Sequence, residues 1–223
     1  MQDKINLCQI PKKATAKEAK EIKKLMLEHY AHAKTELKFR NLYELLIAVM
    51  LSAQCTDKRV NIVTPMLFEC FPTLESLANA NLDDVKALIS SCSFFNNKAK
   101  NMVAMAQEVM TRFDGEIPLE RDSLMSLSGV GQKTANVVLI EFCEANYIAV
   151  DTHVFRTTHR LGLSAATTPI KTEEELTRLF KDHLSTLHQA FVLFGRYICK
   201  AQKPLCGECF LQKYCKSKSN FKA

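Results

Sequence analysis

Apolar side chains in this chain recur at intervals of three and four residues, and nowhere do they alternate long enough to nominate a sheet. Leu42, Leu45, Leu46, Val49, Met50 and Ala53 fall on one buried face of a helix. Met102, Met105, Ala106, Val109, Met110 and Phe113 repeat the pattern, with methionine as core filling rather than as a cofactor box. Residues 16–32, rich in Ala, Lys, Glu and Leu, read as a polar-faced amphipathic helix. Further helices are predicted at 57–69, 81–90, 120–127, 132–143, 153–161, 172–184 and 187–199. Thr73, Asn81 and Thr172 suit N-caps, while Asp114-Gly115 and Pro118 punctuate the break between two helices. The fold class is all-α, with no internal repeat or flexible linker.

The chain has 223 residues, 47% apolar and 24% charged, enough to build a core without staples. Its longest uninterrupted apolar run, Leu45 to Leu51, is far too short to span a membrane, and the opening MQDKINLCQIPKK has no apolar leader region. A soluble cytosolic protein is expected. The net charge of +6 divides into +5 over residues 1–40, −5 over 41–195 and +6 over 196–223. Two basic ends packed together would form a face suited to a phosphate backbone. As separate runs they are solubilising tails, the reading that charge alone favours.

Nine cysteines in a cytosolic chain do not suggest a disulfide framework, because that compartment keeps thiols reduced. Cys8, Cys55, Cys70, Cys92 and Cys143 are scattered and read as small buried apolar residues. Cys199, Cys206, Cys209 and Cys215 instead cluster within seventeen residues as C-x6-C-x2-C-x5-C. Four such thiolates can surround one metal centre, with Pro204 and Gly207 turning the backbone around it. Zinc usually takes two CxxC knuckles, and one CxxC with longer arms leaves zinc and a 4Fe–4S cluster both open.

The most informative stretch is LSGVGQKTANVV, Leu127 to Val138. A helix ending near Leu127 meets the turn Ser128-Gly129-Val130-Gly131, and a second helix begins at once. The glycines permit positive φ and clear the approach of a ligand, and the new helix offers free N–H groups to an anion. The result is a helix–hairpin–helix whose target is a nucleic-acid phosphate; a plain αα-hairpin turn is the simpler reading of GVG alone. Lys133 lies just inside the second helix, where the dipole and neighbouring burial would disfavour its ammonium and favour an amine nucleophile. Asp151, in VDTH, opens the next helix and could be its N-cap and nothing more.

Four motifs, LLIAVMLSAQCTD, LSGVGQKTANVV, VDTHVFR and the terminal C-x6-C-x2-C-x5-C, together resemble the bacterial endonuclease III branch of the helix–hairpin–helix DNA glycosylases. The likeness runs from about Lys17 to Cys215. It implies a bifunctional glycosylase and abasic-site lyase of base excision repair, removing oxidised pyrimidines from damaged double-stranded DNA and cutting 3′ to the lesion by β-elimination. It also implies a 4Fe–4S cluster on Cys199, Cys206, Cys209 and Cys215, with Lys133 as Schiff-base nucleophile and Asp151 as essential carboxylate.

By the same resemblance Gln54 enters the gap left by the flipped nucleotide, and Phe94, in Ser93-Phe94-Phe95-Asn96, wedges into the opposite strand. Without it, Gln54 is a polar helix-end residue and Phe94 is core. Gly129 and Gly131 carry over as backbone phosphate binders, and Lys200 and Lys203 lie near phosphates. The architecture implied is two helical lobes: a six-helix lobe at 35–145 with the hairpin, and a discontinuous iron–sulfur lobe joining 1–34 to 146–223. The protein is expected to act as a monomer in the bacterial cytosol or nucleoid.

Three departures stand out: Ser128 where the family commonly has Pro, leaving a less rigid turn, Ser93 for Gly, and Phe94 for an aliphatic wedge. Cys55 replaces a frequent Ala and reads as packing. Two other functions fit parts of the pattern. An adenine-mismatch glycosylase shares the hairpin, aspartate and cluster, but usually lacks Lys133 and carries a further C-terminal domain. A non-catalytic iron–sulfur DNA-binding protein needs no Lys–Asp pair.

Overall fold

The computed structural model describes residues 13–220, and every regular element among them is helical. Two compact units emerge, one of residues 35–145 and one joining 13–34 to 146–220. Cys8 lies outside the described residues.

In chain order, α1 (Ala16–His29) belongs to the second unit. The first unit holds α2 (Leu42–Ser52), α3 (Asp57–Cys70), α4 (Leu74–Ala78), α5 (Leu82–Leu88), α6 (Phe95–Arg112), α7 (Arg121–Met125) and α8 (Gln132–Cys143). Of these seven segments α4 and α7 are short helices of five residues, and α4 is the one that the hydrophobic period does not mark.

α2 is the axis of this unit. The sequence suggests one buried face, yet every residue from Tyr43 to Leu51 is buried, because α3, α6 and α8 all pack against it. Each large aliphatic side chain so buried stabilises the unit by roughly 1.5–3 kcal/mol. The charged residue of this buried run, Glu44, is matched: its carboxylate accepts from the Arg40 backbone N–H and from Arg40 Nε, both at 2.7 Å. α6 buries Ala99, Met102, Met105, Ala106 and Val109 in the expected stripe.

Thr73 and Asn81 do cap helices: their side chains accept from Ser76 N at 3.1 Å and Asp83 N at 2.9 Å. Thr73 caps α4, a helix too short to show a period. Thr172 does not cap. That helix, α10 (Pro169–Phe180), begins a turn earlier behind Thr168, with Pro169 supplying a pre-set φ in its first turn. Thr172 is buried and donates its hydroxyl back to Thr168 O.

The second unit adds α9 (Thr152–Arg160) and α11 (Leu184–Tyr197), and α11 packs against both α1 and α9. Its core includes Ile22, Met26, Leu187, Phe191 and Phe194. Beyond α11 the chain coils through three 3₁₀ turns, the first two at Cys206–Glu208 and Gln212–Tyr214. This coil is fastened to the helices: Phe210 stacks on His29 at 3.8 Å and meets Phe194 edge-on, and Lys216 pairs with Glu18 at 2.5 Å. That lysine, with the Thr15 backbone N–H, holds the Glu18 carboxyl down at about 2.

Candidate active site and metal centre

The hairpin between α7 and α8 is built by two glycines with different tasks. Gly129 has φ +76, and a Cβ there would come within 2.7 Å of Asn101 Cβ on α6, so glycine is required by both backbone and packing. Gly131 is the N-cap of α8, and a Cβ there would meet nothing within 4 Å. No side chain caps α8, so its first-turn N–H groups face outward with the positive end of the dipole. Gly129→Ala should therefore cost about 1–2 kcal/mol from φ alone, with the Asn101 clash added. Gly131→Ala should cost only the weaker N-cap preference of Ala. Urea unfolding of the two variants checks this; equal losses would contradict it.

Ser128 does not leave the turn loose. Its N–H and Oγ donate to the two oxygens of Glu108 on α6, at 2.7 and 2.6 Å. A proline could make neither bond, so this chain replaces ring stiffness with a carboxylate clamp.

Lys133 stands exposed on the first turn of α8. The neighbouring burial expected of it does not reach it: the buried run begins at Ala135. Gln54 comes just after Ala53, the C-cap of α2, exposed and with φ 54. Phe94 takes the N-cap position of α6 with φ 58 and is 62% exposed, so the core reading of Phe94 fails.

Between these two turns lies a residue that the sequence reading missed. Lys98, buried on α6, donates from Nζ to Leu51 O and Ala53 O, both at 2.7 Å. Burial lowers its pKa. Its signal was present in the sequence, a lysine in register with the stripe of Met102 and Met105. Cys92 is buried beside Cys55, and burial, then that sulfur, pushes its thiol up to about 11, in keeping with a packing role.

In the other unit Asp151 is indeed an N-cap: Oδ1 accepts from His153 N and Val154 N, both at 2.8 Å. Both bonds use one oxygen, so capping does not exhaust the carboxylate. Further along α9, two arginines missed by sequence reading hold the cysteine segment. Arg156 donates to Gly195 O and Cys199 O. Arg160 donates to Lys200 O at 2.7 Å and Ala201 O at 3.0 Å, and its Nη1 lies 3.4 Å from Cys199 Sγ. Lys200 and Lys203, both exposed, sit on the loop so held.

Cys199, Cys206, Cys209 and Cys215 line one cavity, with Arg160, Phe194 and Ile198. Among the described residues no three candidate ligand side chains stand together as a site for a single metal ion. Burial, with the neighbouring sulfurs adding, pushes the Cys209 thiol up to about 11 and raises that of Cys215. Four cysteines lining one cavity, with the Arg160 guanidinium against the first of them, suit a cationic iron centre that would draw off their protons.

Residues 47–182 match the model of the HhH-GPD superfamily base excision DNA repair protein, and residues 199–215 match the iron–sulfur binding domain of endonuclease III. Endonuclease III of Synechocystis is 42% identical over 89% of this chain and 92% of its own length. This chain belongs to the endonuclease III family. The Haemophilus influenzae endonuclease III is 40% identical over 89% of the chain and 94% of its own length. A solved endonuclease III–DNA covalent intermediate superposes with TM-score 0.88 at 39% identity, covering 92% of this chain and 98% of that one. A thermostable thymine-DNA glycosylase, 20% identical with TM-score 0.82, shares the fold. As an endonuclease III homologue the chain is a DNA glycosylase and abasic-site lyase of base excision repair, with a 4Fe–4S cluster as cofactor.

Proposed function

We propose that this protein binds damaged duplex DNA, excises an oxidised pyrimidine through a Schiff base on Lys133, and cuts the strand 3′ to the lesion. The observation that carries this is an exposed amine on the first turn of a helix whose uncapped N-terminus is framed by Gly129 and Gly131. The backbone N–H groups of that turn take a phosphate. The damaged nucleotide leaves the stack, Gln54 fills the gap and Phe94 enters the opposite strand.

Lys133, as the free amine, attacks C1′ and forms a C–N bond as the glycosidic bond breaks and the base departs. Asp151 takes the proton that the amine gives up and stabilises positive charge developing on the sugar. The C1′–O4′ bond then breaks, with a proton passing to O4′, so that the sugar ring opens and the C–N bond becomes an imine. Loss of a proton from C2′ breaks the C3′–O bond, the phosphate leaving with its oxygen, and water releases Lys133 from the imine. Cys199, Cys206, Cys209 and Cys215 would hold the cluster, which supplies a cross-link rather than bond chemistry. The loop it shapes presents Lys200 and Lys203 to phosphates. The protein works as a monomer in the cytosol or nucleoid; no described helix is long and apolar enough to cross a membrane.

Incubation with a duplex carrying one thymine glycol tests this. The expected products are free base, a 5′-phosphate fragment and a fragment ending in a 3′-unsaturated aldehyde. Affinity should fall steeply with salt as each neutralised phosphate releases counterions. A duplex that is bound but left intact would overturn the proposal.

A further inference from the structure

One helix underlies all three turns that the proposed function sends to DNA. α6 starts directly after Phe94, places Asn101 against Gly129, and clamps Ser128 through Glu108. One turn from its start is Lys98, which does two things at once. Its backbone N–H donates to Phe94 O at 3.1 Å, while its Nζ donates to the carbonyls of Leu51 and Ala53 at 2.7 Å each.

Those carbonyls belong to the end of α2, where the helix leaves acceptors without intrahelical partners and a cation is favoured. The next residue is Gln54, at φ 54. Phe94 is likewise in the left-handed region, at φ 58. Non-glycine residues keep that conformation only where their surroundings over-determine it. Lys98 is also 8% exposed, packed in the stripe of Ala99 and Met102. An ammonium is costly there unless its donors are satisfied, and the two carbonyls take two of its three N–H groups only while the α2 end keeps its present shape. The bonds therefore constrain in both directions.

We propose that Lys98 is a positioning residue: it locks the Gln54 turn in its left-handed shape and ties it to the Phe94 turn, so that both side chains are set to enter the duplex together. The inference rests on the reading of Gln54 and Phe94 as inserting residues. On that reading, Lys98 never touches DNA and acts through Gln54.

The test compares native holoprotein with Gln54→Ala, Lys98→Met, their double variant and Lys98→Arg. Two quantities are read: single-turnover excision of thymine glycol, and the fluorescence of 2-aminopurine placed opposite the lesion, which rises when its stacking is broken. Lys98→Met and Gln54→Ala should each slow excision by roughly tenfold to a hundredfold, the range expected when reacting groups are misplaced, and both should lower the fluorescence. The double variant should be no slower than the slower single, because the two residues act in series. Lys98→Arg, which keeps the charge and the donors, should recover most of the rate. Multiplying effects in the double variant, or a Lys98→Met chain at native rate and fluorescence, would overturn the proposal. A silent Gln54→Ala would instead overturn the reading on which it rests. Should Lys98→Met fail to fold, Lys98→Gln replaces it in the same cycle; if neither folds, Lys98 serves general stability and the proposal falls.

Discussion

Lys133→Gln should reduce cleavage of an abasic-site duplex by at least roughly 10⁴-fold, because a residue that forms the covalent bond has no substitute when removed. The loss cannot be confused with unfolding. Lys133 is exposed on the first turn of α8, and glutamine is about as good a helix former as lysine. Binding to undamaged duplex should be nearly unchanged, since one exposed charge among many phosphate contacts is lost. A variant that still nicks at a tenth of the native rate would remove Lys133 from the mechanism.

Asp151→Asn should slow base excision by roughly 10²–10⁴-fold, the range for losing a positioned acid or base, and leave stability untouched. The two roles of this side chain separate cleanly. Its cap needs only an oxygen that accepts from His153 N and Val154 N, and asparagine caps about as well as aspartate. Asparagine has no charge to stabilise a cationic sugar and cannot hold the proton. Asp151→Ala loses both, and should unfold about 1 kcal/mol more easily as well. Rates paired with urea midpoints for the two variants distinguish chemistry from capping; an asparagine variant at native rate would leave Asp151 as a cap alone.

The features legible in the sequence were those whose physics is local. The 3–4 period marked the helices, the Gly-rich turn marked the hairpin, and four close cysteines marked the metal centre. Thr172 misled because threonine is common at caps, while the stronger local signal, Thr168 before Pro169, stood four residues earlier. α4 is too short for periodicity to report. The Glu108 clamp on Ser128 and the Lys98 bonds to the α2 end depend on partners 20 to 47 positions away, and the all-round burial of α2 on α8, further still along the chain; spacing along one helix reveals none of these. Phe94 is the instructive case: an aromatic residue beside a Met-rich helix reads as core, yet its backbone takes a left-handed turn that leaves the ring in solvent.

Borohydride trapping on a duplex with one thymine glycol tests the central claim most directly. Reduction of the imine should fix the native holoprotein to the damaged strand as a covalent band, and Lys133→Gln should give none. A native protein that retains its cluster, cleaves the duplex and yet leaves no trapped band would contradict the lysine mechanism. So would a Lys133→Gln protein that traps as well as the native one.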